Sequence, residues 1–144
     1  MPGTLLITRP EHEIVTRYFS KWSEKVIEEA KRKRMEIFEL RKEKANRKEV
    51  MGRLNKMTDR KMLVMFNAHG NETSIGGHDN EPIVTENDAE VLRLKIVYAR
   101  ACSAANKLGR ASVQSGALAF IGYDIEFVIF TQDDKEMKPL EDDL

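Results

Sequence analysis

The residues of this chain best suited to chemistry are a histidine–glycine pair, His69-Gly70, and a single cysteine, Cys102. His69 and Cys102 are 33 positions apart, and each follows an apolar run of the sequence. A cysteine thiolate is a strong nucleophile, and histidine is the side chain that most often transfers protons near neutral pH. The two residues therefore form a candidate nucleophile and acid/base pair.

Each residue also has an ordinary structural interpretation. A lone cysteine is often a small buried hydrophobic residue, and a histidine at a strand end often binds only the backbone. The position of both residues directly after predicted buried strands favours the catalytic interpretation, because it predicts that they lie on the same edge of a sheet.

The neighbours of the pair add to this interpretation. Gly70 has no side chain, so its amide can approach a substrate closely, and together with the amide of Cys102 it can bind an oxyanion. The pattern after the cysteine predicts a helix that is capped by Ser103, interrupted near Gly109 and continued to Gly116. A helix start beside Cys102 would favour the thiolate, because exposed amides and the helix dipole attract negative charge.

The elements that must position these residues follow from the hydrophobic pattern. Residues 4–8 form a short apolar run, and apolar residues at a period of about four then predict a helix over residues 11–34. Residues 35–40 alternate at period two, which favours a short strand near a sheet edge over one continuous helix across residues 11–57. The later predicted elements are a helix around residues 50–57, a buried strand at 61–66, a loop or hairpin at 71–84, a brief helix from a Thr85/Asp88 capping box to Leu92, and strands at 95–99, 117–122 and 127–130.

Strands that alternate with helices in this way predict an α/β fold. We expect a three-layer sandwich with a mostly parallel sheet of about five or six strands. In such sheets ligands bind at the carboxyl ends of the strands, which is where His69 and Cys102 both lie.

Length and composition limit the class of protein. With 144 residues the chain fits one domain, assigned to residues 1–132 and followed by an acidic tail at 133–144. It has 24 basic and 24 acidic residues, so its formal net charge is zero. The overall charge therefore gives no indication of binding to nucleic acid. No apolar stretch reaches the ~18 residues of a membrane span, and the first residues lack a signal-peptide pattern. We expect no membrane partner and a cytoplasmic location.

Charge is nevertheless spread unevenly along the chain. Residues 31–62 carry 13 basic and 5 acidic side chains, whereas residues 124–144 carry 2 basic and 8 acidic ones. The simpler interpretation is a set of solvated helix faces and a polar tail, and the alternative is a docking surface.

Several motifs of the sequence, taken together, resemble one peptidase family. They are Asn67-Ala68-His69-Gly70, Gly76-Gly77-His78-Asp79, Ala99-Arg100-Ala101-Cys102 and Gly116-Ala117-Leu118-Ala119-Phe120-Ile121-Gly122-Tyr123. Their order and spacing are similar to those of cysteine peptidases with the caspase-like fold, which include caspases, gingipains, clostripain and separase. Among these the CHAT and gingipain-like domains look most similar. The resemblance covers residues 61–123 well and residues 4–144 loosely.

This resemblance implies hydrolysis of peptide bonds by a Cys-His dyad, without a cofactor, a metal or a third catalytic residue. Cys102 would be the nucleophile, His69 the acid/base, and the amides of Gly70 and Cys102 the oxyanion hole. The implied partner is a peptide or protein substrate.

The family usually selects a charged residue immediately before the cleaved bond. Arg9 would favour an acidic residue there, whereas Asp79, Glu81 or Asp124 would favour a basic one, as in the most similar branches. Each of these four residues also fits an ordinary solvated or turn position.

Other interpretations of the sequence stay open. Members of the family generally continue beyond the sixth strand, so we expect a fragment, or a domain that a partner or a second copy completes. A non-catalytic interaction module of the same fold is the main rival, and a flavodoxin-like or receiver-like domain ranks behind it. Zinc binding by His69, His78 and Cys102 is disfavoured, because their spacing matches no compact ligand motif.

Overall fold

The computed structural model describes residues 3–126 of the chain. Its strands are β1 (Thr4–Arg9), β2 (Glu36–Arg41), β3 (Met62–Asn67), β4 (Ser74–Gly76), β5 (Pro82–Thr85), β6 (Lys95–Arg100) and β7 (Ala119–Ile121), and its α-helices are α1 (Ile14–Arg32), α2 (Arg47–Asn55) and α3 (Leu108–Gln114). Five strands form a parallel sheet in the order β2-β1-β3-β6-β7, with helices on both faces. The predicted α/β fold with a mostly parallel sheet is confirmed.

Helix α1 has a defined start and a defined stop, which separate it from β2. At its start the Glu13 carboxylate accepts hydrogen bonds from the amides of Val15 and Thr16. Beyond its end Arg34 has a φ of 58°, a left-handed conformation that cannot continue a helix. The chain then returns as β2, parallel to β1 at the edge of the sheet. The predicted separate strand is confirmed, and one continuous helix is excluded.

One face of the sheet is covered by α2 and α3 and holds the larger core. Val50 and Leu54 of α2 and Leu108 of α3 are fully buried in one cluster with Val64 and Val97 of the central strands. Burying an aliphatic side chain of this size contributes about 1.5–3 kcal/mol. This face therefore supplies most of the hydrophobic stabilisation.

Helix α1 covers the opposite face only partly. It packs against β1, β2 and β3, where Ile27 and Ala30 contact a small buried cluster. Further along the sheet, apolar side chains on this face are exposed by about two fifths or more, and no helix within residues 3–126 covers them; they are Leu63 (40%), Ile96 (39%), Tyr98 (39%) and Ile121 (55%). The prediction that the strands at residues 61–66 and 95–99 are buried is wrong for Leu63, Ile96 and Tyr98.

The segment between β3 and β6 follows the prediction closely. Strands β4 and β5 form the antiparallel hairpin expected within residues 71–84. Thr85 and Asp88 form the predicted capping box, in which the amide of Thr85 donates to Asp88 Oδ1 at 2.7 Å. The short helix that follows, Glu86–Leu92, has 3₁₀ geometry.

At the amino end of β6, Lys95 is buried with its charge satisfied by backbone. Its Nζ donates to the carbonyl oxygens of Met57 at 2.7 Å, Arg60 at 2.8 Å and Arg93 at 3.2 Å. Burial lowers the pKa of the Lys95 ammonium group from its usual value of 10.5. The three carbonyls fill the donor capacity of the ammonium group and tie β6 to the turns that precede β3 and β6.

The last predicted elements fall near or beyond the end of the described range. Strand β7 lies inside the predicted strand at residues 117–122. The predicted strand at 127–130 and the acidic tail at 133–144 lie outside the described residues. Among the helices within residues 3–126, none has the length and apolar character that a membrane crossing requires.

Candidate functional site

His69 and Cys102 follow two neighbouring parallel strands that are in register. Asn67 at the end of β3 pairs with Arg100 at the end of β6, and the amide of Ala68 donates to the carbonyl oxygen of Arg100 at 3.2 Å. His69 and Cys102 each come two residues after this last pair. The structure therefore brings the predicted dyad residues to the same edge of the sheet, on adjacent strands.

Gly70 lies directly against the backbone of the cysteine segment. A methyl group added at Gly70 would be 2.9 Å from the carbonyl oxygen of Cys102 and 2.8 Å from Cβ of Ala101. Any side chain at this position would therefore push the two segments apart. The absence of a side chain at Gly70 is what allows the histidine and cysteine segments to pack together.

Cys102 lies in a turn and not at the start of a helix, so this part of the prediction is wrong. Residues 102–107 form consecutive turns, and α3 begins only at Leu108 and runs uninterrupted through Gly109. Ser103 has a φ of 58°, which places it outside helical geometry. A helix N-terminus is therefore not available to stabilise the Cys102 thiolate.

Hydrogen bonds from two sides hold this turn in place. On one side the amides of Ser103 and Ala105 donate to the carbonyl oxygens of Ile125 at 3.1 Å and Tyr123 at 2.9 Å. On the other side the carbonyl oxygen of Glu72, in the loop before β4, accepts from the amides of Lys107 and Leu108 at 3.1 and 2.8 Å. The conformation of the Cys102 turn thus depends on segments that come both before and after it in the chain.

The ring of His69 is oriented by Glu13, at the start of α1. His69 Nε2 lies 3.0 Å from Glu13 Oε1, and both side chains are partly exposed. Burial by itself raises the pKa of Glu13, but hydrogen bonds from the amides of Thr16 and Val15, together with the charge of His69, outweigh it, so the pKa falls below its usual value of 4.5. Glu13 is therefore an ionised carboxylate beside the histidine ring.

All three histidines of the chain meet at this edge. The ring centroid of His12, between β1 and α1, lies 6.2 Å from that of His69 and 5.5 Å from that of His78. His12 Nε2 lies 3.0 Å from Asn80 Oδ1. The Nδ1 atoms of His12 and His78 are buried without a hydrogen-bond partner among residues 3–126. One ligand atom each from His12, Glu13 and His69 lie within 4.8 Å of one another.

Sequence reasoning missed His12 and Glu13. The strand order is the signal that indicates them. From β1 the chain adds β2 on one side and β3 on the other, so the strand order reverses between β1 and β3. Ligands bind at such switch points in doubly wound sheets. The loop after β1 carries His12 and Glu13, and the loop after β3 carries His69. That order becomes known only with the structure.

A buried polar layer supports the site from below. Asn67 Nδ2 donates to the carbonyl oxygen of Thr8 and to Ser23 Oγ, each at 2.9 Å. Arg100 Nη2 also donates to Ser23 Oγ, at 3.4 Å, and its guanidinium lies over the ring of Trp22 at 6.0 Å from the centroid. Burial lowers the pKa of the Arg100 guanidinium below its usual range. This layer fixes the ends of β3 and β6 relative to α1.

The remaining predicted residues are not gathered around the dyad. Arg9 is buried and binds Ser20 Oγ and the carboxylates of Glu24 and Glu39, so its charge is used inside the fold and does not reach an incoming acidic side chain. The other three candidates lie at separate places: Asp79 is 80% exposed beside His78, Glu81 lines a groove along α2, and Asp124 is exposed in the loop after β7.

Comparison of the chain with protein-family models, with curated proteins and with solved structures finds no match. The geometry of this edge of the sheet is therefore the basis for inferring a function.

Proposed function

We propose that this chain is a cysteine peptidase domain of the caspase-like type, with Cys102 as nucleophile and His69 as acid/base. The observation that carries the proposal is the packing of Gly70 against Cys102 at the ends of two strands in register. The proposal is supported by the presence of a histidine, a glycine and a cysteine at one edge of the sheet, because acyl transfer requires a nucleophile, an acid/base and amide donors.

The reaction would proceed in two balanced steps. In the first, the Cys102 thiolate attacks the peptide carbonyl carbon, and the amides of Gly70 and Cys102 stabilise the oxyanion. Protonated His69 then donates its proton to the leaving amine as the C–N bond breaks, which leaves a thioester on Cys102. In the second step neutral His69 takes a proton from water, whose oxygen attacks the thioester carbonyl. Release of the carboxylic acid restores the thiolate and protonated His69.

Glu13 acts in this proposal as a positioning residue. Because His69 Nε2 faces the Glu13 carboxylate at 3.0 Å, the other ring nitrogen, Nδ1, is assigned to proton transfer. The carboxylate also stabilises the imidazolium form that the first step requires. We expect Glu13→Gln, which keeps an oxygen for capping α1, to lower kcat by about tenfold or more with KM unchanged. A change confined to KM would contradict this role.

The site chemistry favours a substrate with a basic residue before the cleaved bond. Arg9 is committed to Glu24 and Glu39, so it offers nothing to an acidic residue. Asp79 is well exposed, and its Oδ2 lies 3.5 Å from Nε2 of His78. Asp79→Asn is expected to lower kcat/KM for basic substrates more than for neutral ones.

The decisive test measures reactivity of the only thiol. A peptidyl acyloxymethyl ketone with lysine or arginine at its reactive end should label Cys102 in the native chain at least about tenfold faster than in the denatured chain at neutral pH. His69→Ala should remove this enhancement, whereas Gln114→Ala, at an exposed position on α3, should leave it unchanged. Equal labelling of the native and denatured chains would overturn the proposal.

Peptide hydrolysis gives the second measurement. Fluorogenic peptides that end in arginine, lysine or aspartate should be cleaved by the full chain in that order of preference. Cys102→Ala should reduce the rate at least about 10³-fold, because both steps pass through the thiol. Residual cleavage equal to that of the parent chain would mean that another protein in the preparation is responsible.

The uncovered part of the sheet favours one alternative, a non-catalytic module of the same fold that binds a second copy or another protein. Ile96 and Tyr98 offer an apolar surface beside the edge strand β7. This alternative predicts self-association in sedimentation that Tyr98→Lys reduces, together with a Cys102 that labels no faster than in the denatured chain. Enhanced labelling would decide in favour of the peptidase.

A further inference from the structure

We propose that His12, Glu13 and His69 form a binding site for a transition-metal ion of the zinc type at the carboxyl edge of the sheet. The spacing of His69, His78 and Cys102 predicted no metal site, and the loop after β1 was not part of that set. The structure assembles a different set, drawn from the ends of β1 and β3.

The distances fit a small ion without rearrangement of the backbone. One ligand atom from each of the three residues lies within 4.8 Å of the other two, and His69 Nε2 is 3.0 Å from Glu13 Oε1. Bonds of about 2.0–2.1 Å in tetrahedral geometry place ligand atoms about 3.3 Å apart. Closing the remaining gaps takes small side-chain rotations, and all three side chains are only partly buried.

A second, independent observation points to a cation. His12 Nε2 donates to Asn80 Oδ1, so in the neutral ring Nδ1 carries a lone pair. This Nδ1 is buried and has no donor among the described residues. A buried acceptor without a donor is costly, and a bound cation would satisfy it. Nδ1 of His78, whose ring lies beside that of His12, is likewise buried without a hydrogen-bond partner among residues 3–126.

The donor set selects the kind of ion. Two imidazoles and one carboxylate suit Zn²⁺ and related transition metals, whereas Mg²⁺ and Ca²⁺ require more oxygen ligands. Three protein ligands leave one position open for water or for His78. The ion would also replace the direct contact of His69 Nε2 with Glu13 Oε1 as the link between the two side chains.

The consequence for activity rests on the proposed peptidase function. An ion bound to His69 would take away the contact of the ring with Glu13. Chelation of the ion would restore this contact. We therefore expect Zn²⁺ to inhibit peptide hydrolysis reversibly, through the residues that position His69 and independently of the thiol.

The test measures metal binding without any use of activity. In calorimetric titration with ZnCl₂ the full chain should bind one ion, and His12→Ala should weaken the affinity at least about tenfold. Cys102→Ala is the matched control, because it removes the strongest alternative zinc ligand, and it should leave the affinity within about twofold. MgCl₂ and CaCl₂ should give no binding heat. Circular dichroism of each variant establishes that it is folded.

Cobalt serves as a spectroscopic probe of the same ligands. Co²⁺ should give the visible absorption of a four-coordinate nitrogen and oxygen site without the thiolate charge-transfer band, and His12→Ala should abolish it. Absence of zinc binding, an affinity that His12→Ala leaves unchanged, or a loss of affinity in Cys102→Ala would each overturn the metal site.

The two proposals fail separately. If zinc binds as described and no peptide is cleaved, the metal site stands and the peptidase proposal falls. If peptides are cleaved at an undiminished rate with zinc saturating the site, the inhibition is overturned and the binding is retained.

Discussion

Buried nitrogen atoms at opposite ends of the central sheet, of Lys95 at one end and of His12 and His78 at the other, differ in how they are satisfied. At the amino end, Lys95 Nζ donates to three backbone carbonyls and is completely buried. At the carboxyl end, the Nδ1 atoms of His12 and His78 are buried without partners among the described residues. Buried polar groups in folded proteins normally have hydrogen-bond partners, and a buried group without one is available to bind an ion or a ligand. Lys95 therefore contributes to stability, whereas His12 and His78 retain nitrogen atoms that can bind a ligand.

The largest expected effect tests the amino end. Lys95→Met should lower the free energy of unfolding by about 3 kcal/mol, because three carbonyl oxygens lose a charged donor and stay buried. Urea denaturation measures this loss. Lys61→Met, at an exposed position next to β3, is the matched control and should change stability by less than about 0.5 kcal/mol. Equal effects at the two positions would mean that the Lys95 contacts do not stabilise the fold.

Arg9 sharpens the comparison, because it lies at the carboxyl end but is satisfied like Lys95. Its guanidinium binds Ser20, Glu24 and Glu39. Arg9→Met should lower the free energy of unfolding by about 2 kcal/mol. This is less than the loss expected for breaking a fully buried ion pair, because both carboxylates are partly exposed and can be hydrated. Thermal or urea unfolding checks this value. If Arg9→Met left stability unchanged and altered substrate preference, Arg9 would instead be a specificity residue.

Glu11 provides a pH test at the same end. Burial raises its pKa, but hydrogen bonds from Arg41 and Ser20 outweigh it, so the folded-state pKa lies below the usual 4.5. A carboxyl group whose pKa is lower in the folded state stabilises that state at pH values above its unfolded-state pKa. This contribution is lost as the pH falls through the folded-state pKa. Glu11→Gln should therefore lower stability at pH 7 by less than about 1 kcal/mol, with the difference disappearing in strong acid. A difference that persists at low pH would contradict this origin.

The smallest expected effect is at the histidines. His12→Ala and His78→Ala should each change the free energy of unfolding by less than about 0.5 kcal/mol, because an unpartnered buried nitrogen contributes no net stabilisation. The measurement is urea denaturation in the presence of a chelator. A loss as large as that of Lys95→Met would remove the distinction between the two ends of the sheet.

Most of the scaffold could be predicted from local sequence pattern. The apolar runs fixed the positions of β1, β3 and β6, and period-two alternation separated β2 from α1. The Thr85/Asp88 box was equally local, since its two residues are three positions apart. Such features depend on neighbours in the chain, which a single sequence displays directly.

The site itself could be predicted only in part, because its remaining features depend on distant contacts. The turn at Cys102 has the composition of a helix, but hydrogen bonds to Glu72, Tyr123 and Ile125 determine its conformation. His12 and Glu13 reach His69 because β1 and β3 are neighbours, which the sequence does not state. Exposure of Tyr98 likewise depends on how far α1 extends across the sheet.

The only tryptophan of the chain lies under the guanidinium of Arg100, two residues before Cys102. Indole emission responds to a nearby cation and to solvent, so Trp22 is an intrinsic optical reporter of the position of Arg100. Its contacts with Tyr18 and Phe19 keep the ring within the packed base of the site. Events at the end of β6, such as acylation of the thiol, should therefore change emission without any attached dye, and their time course can be followed in a stopped-flow instrument.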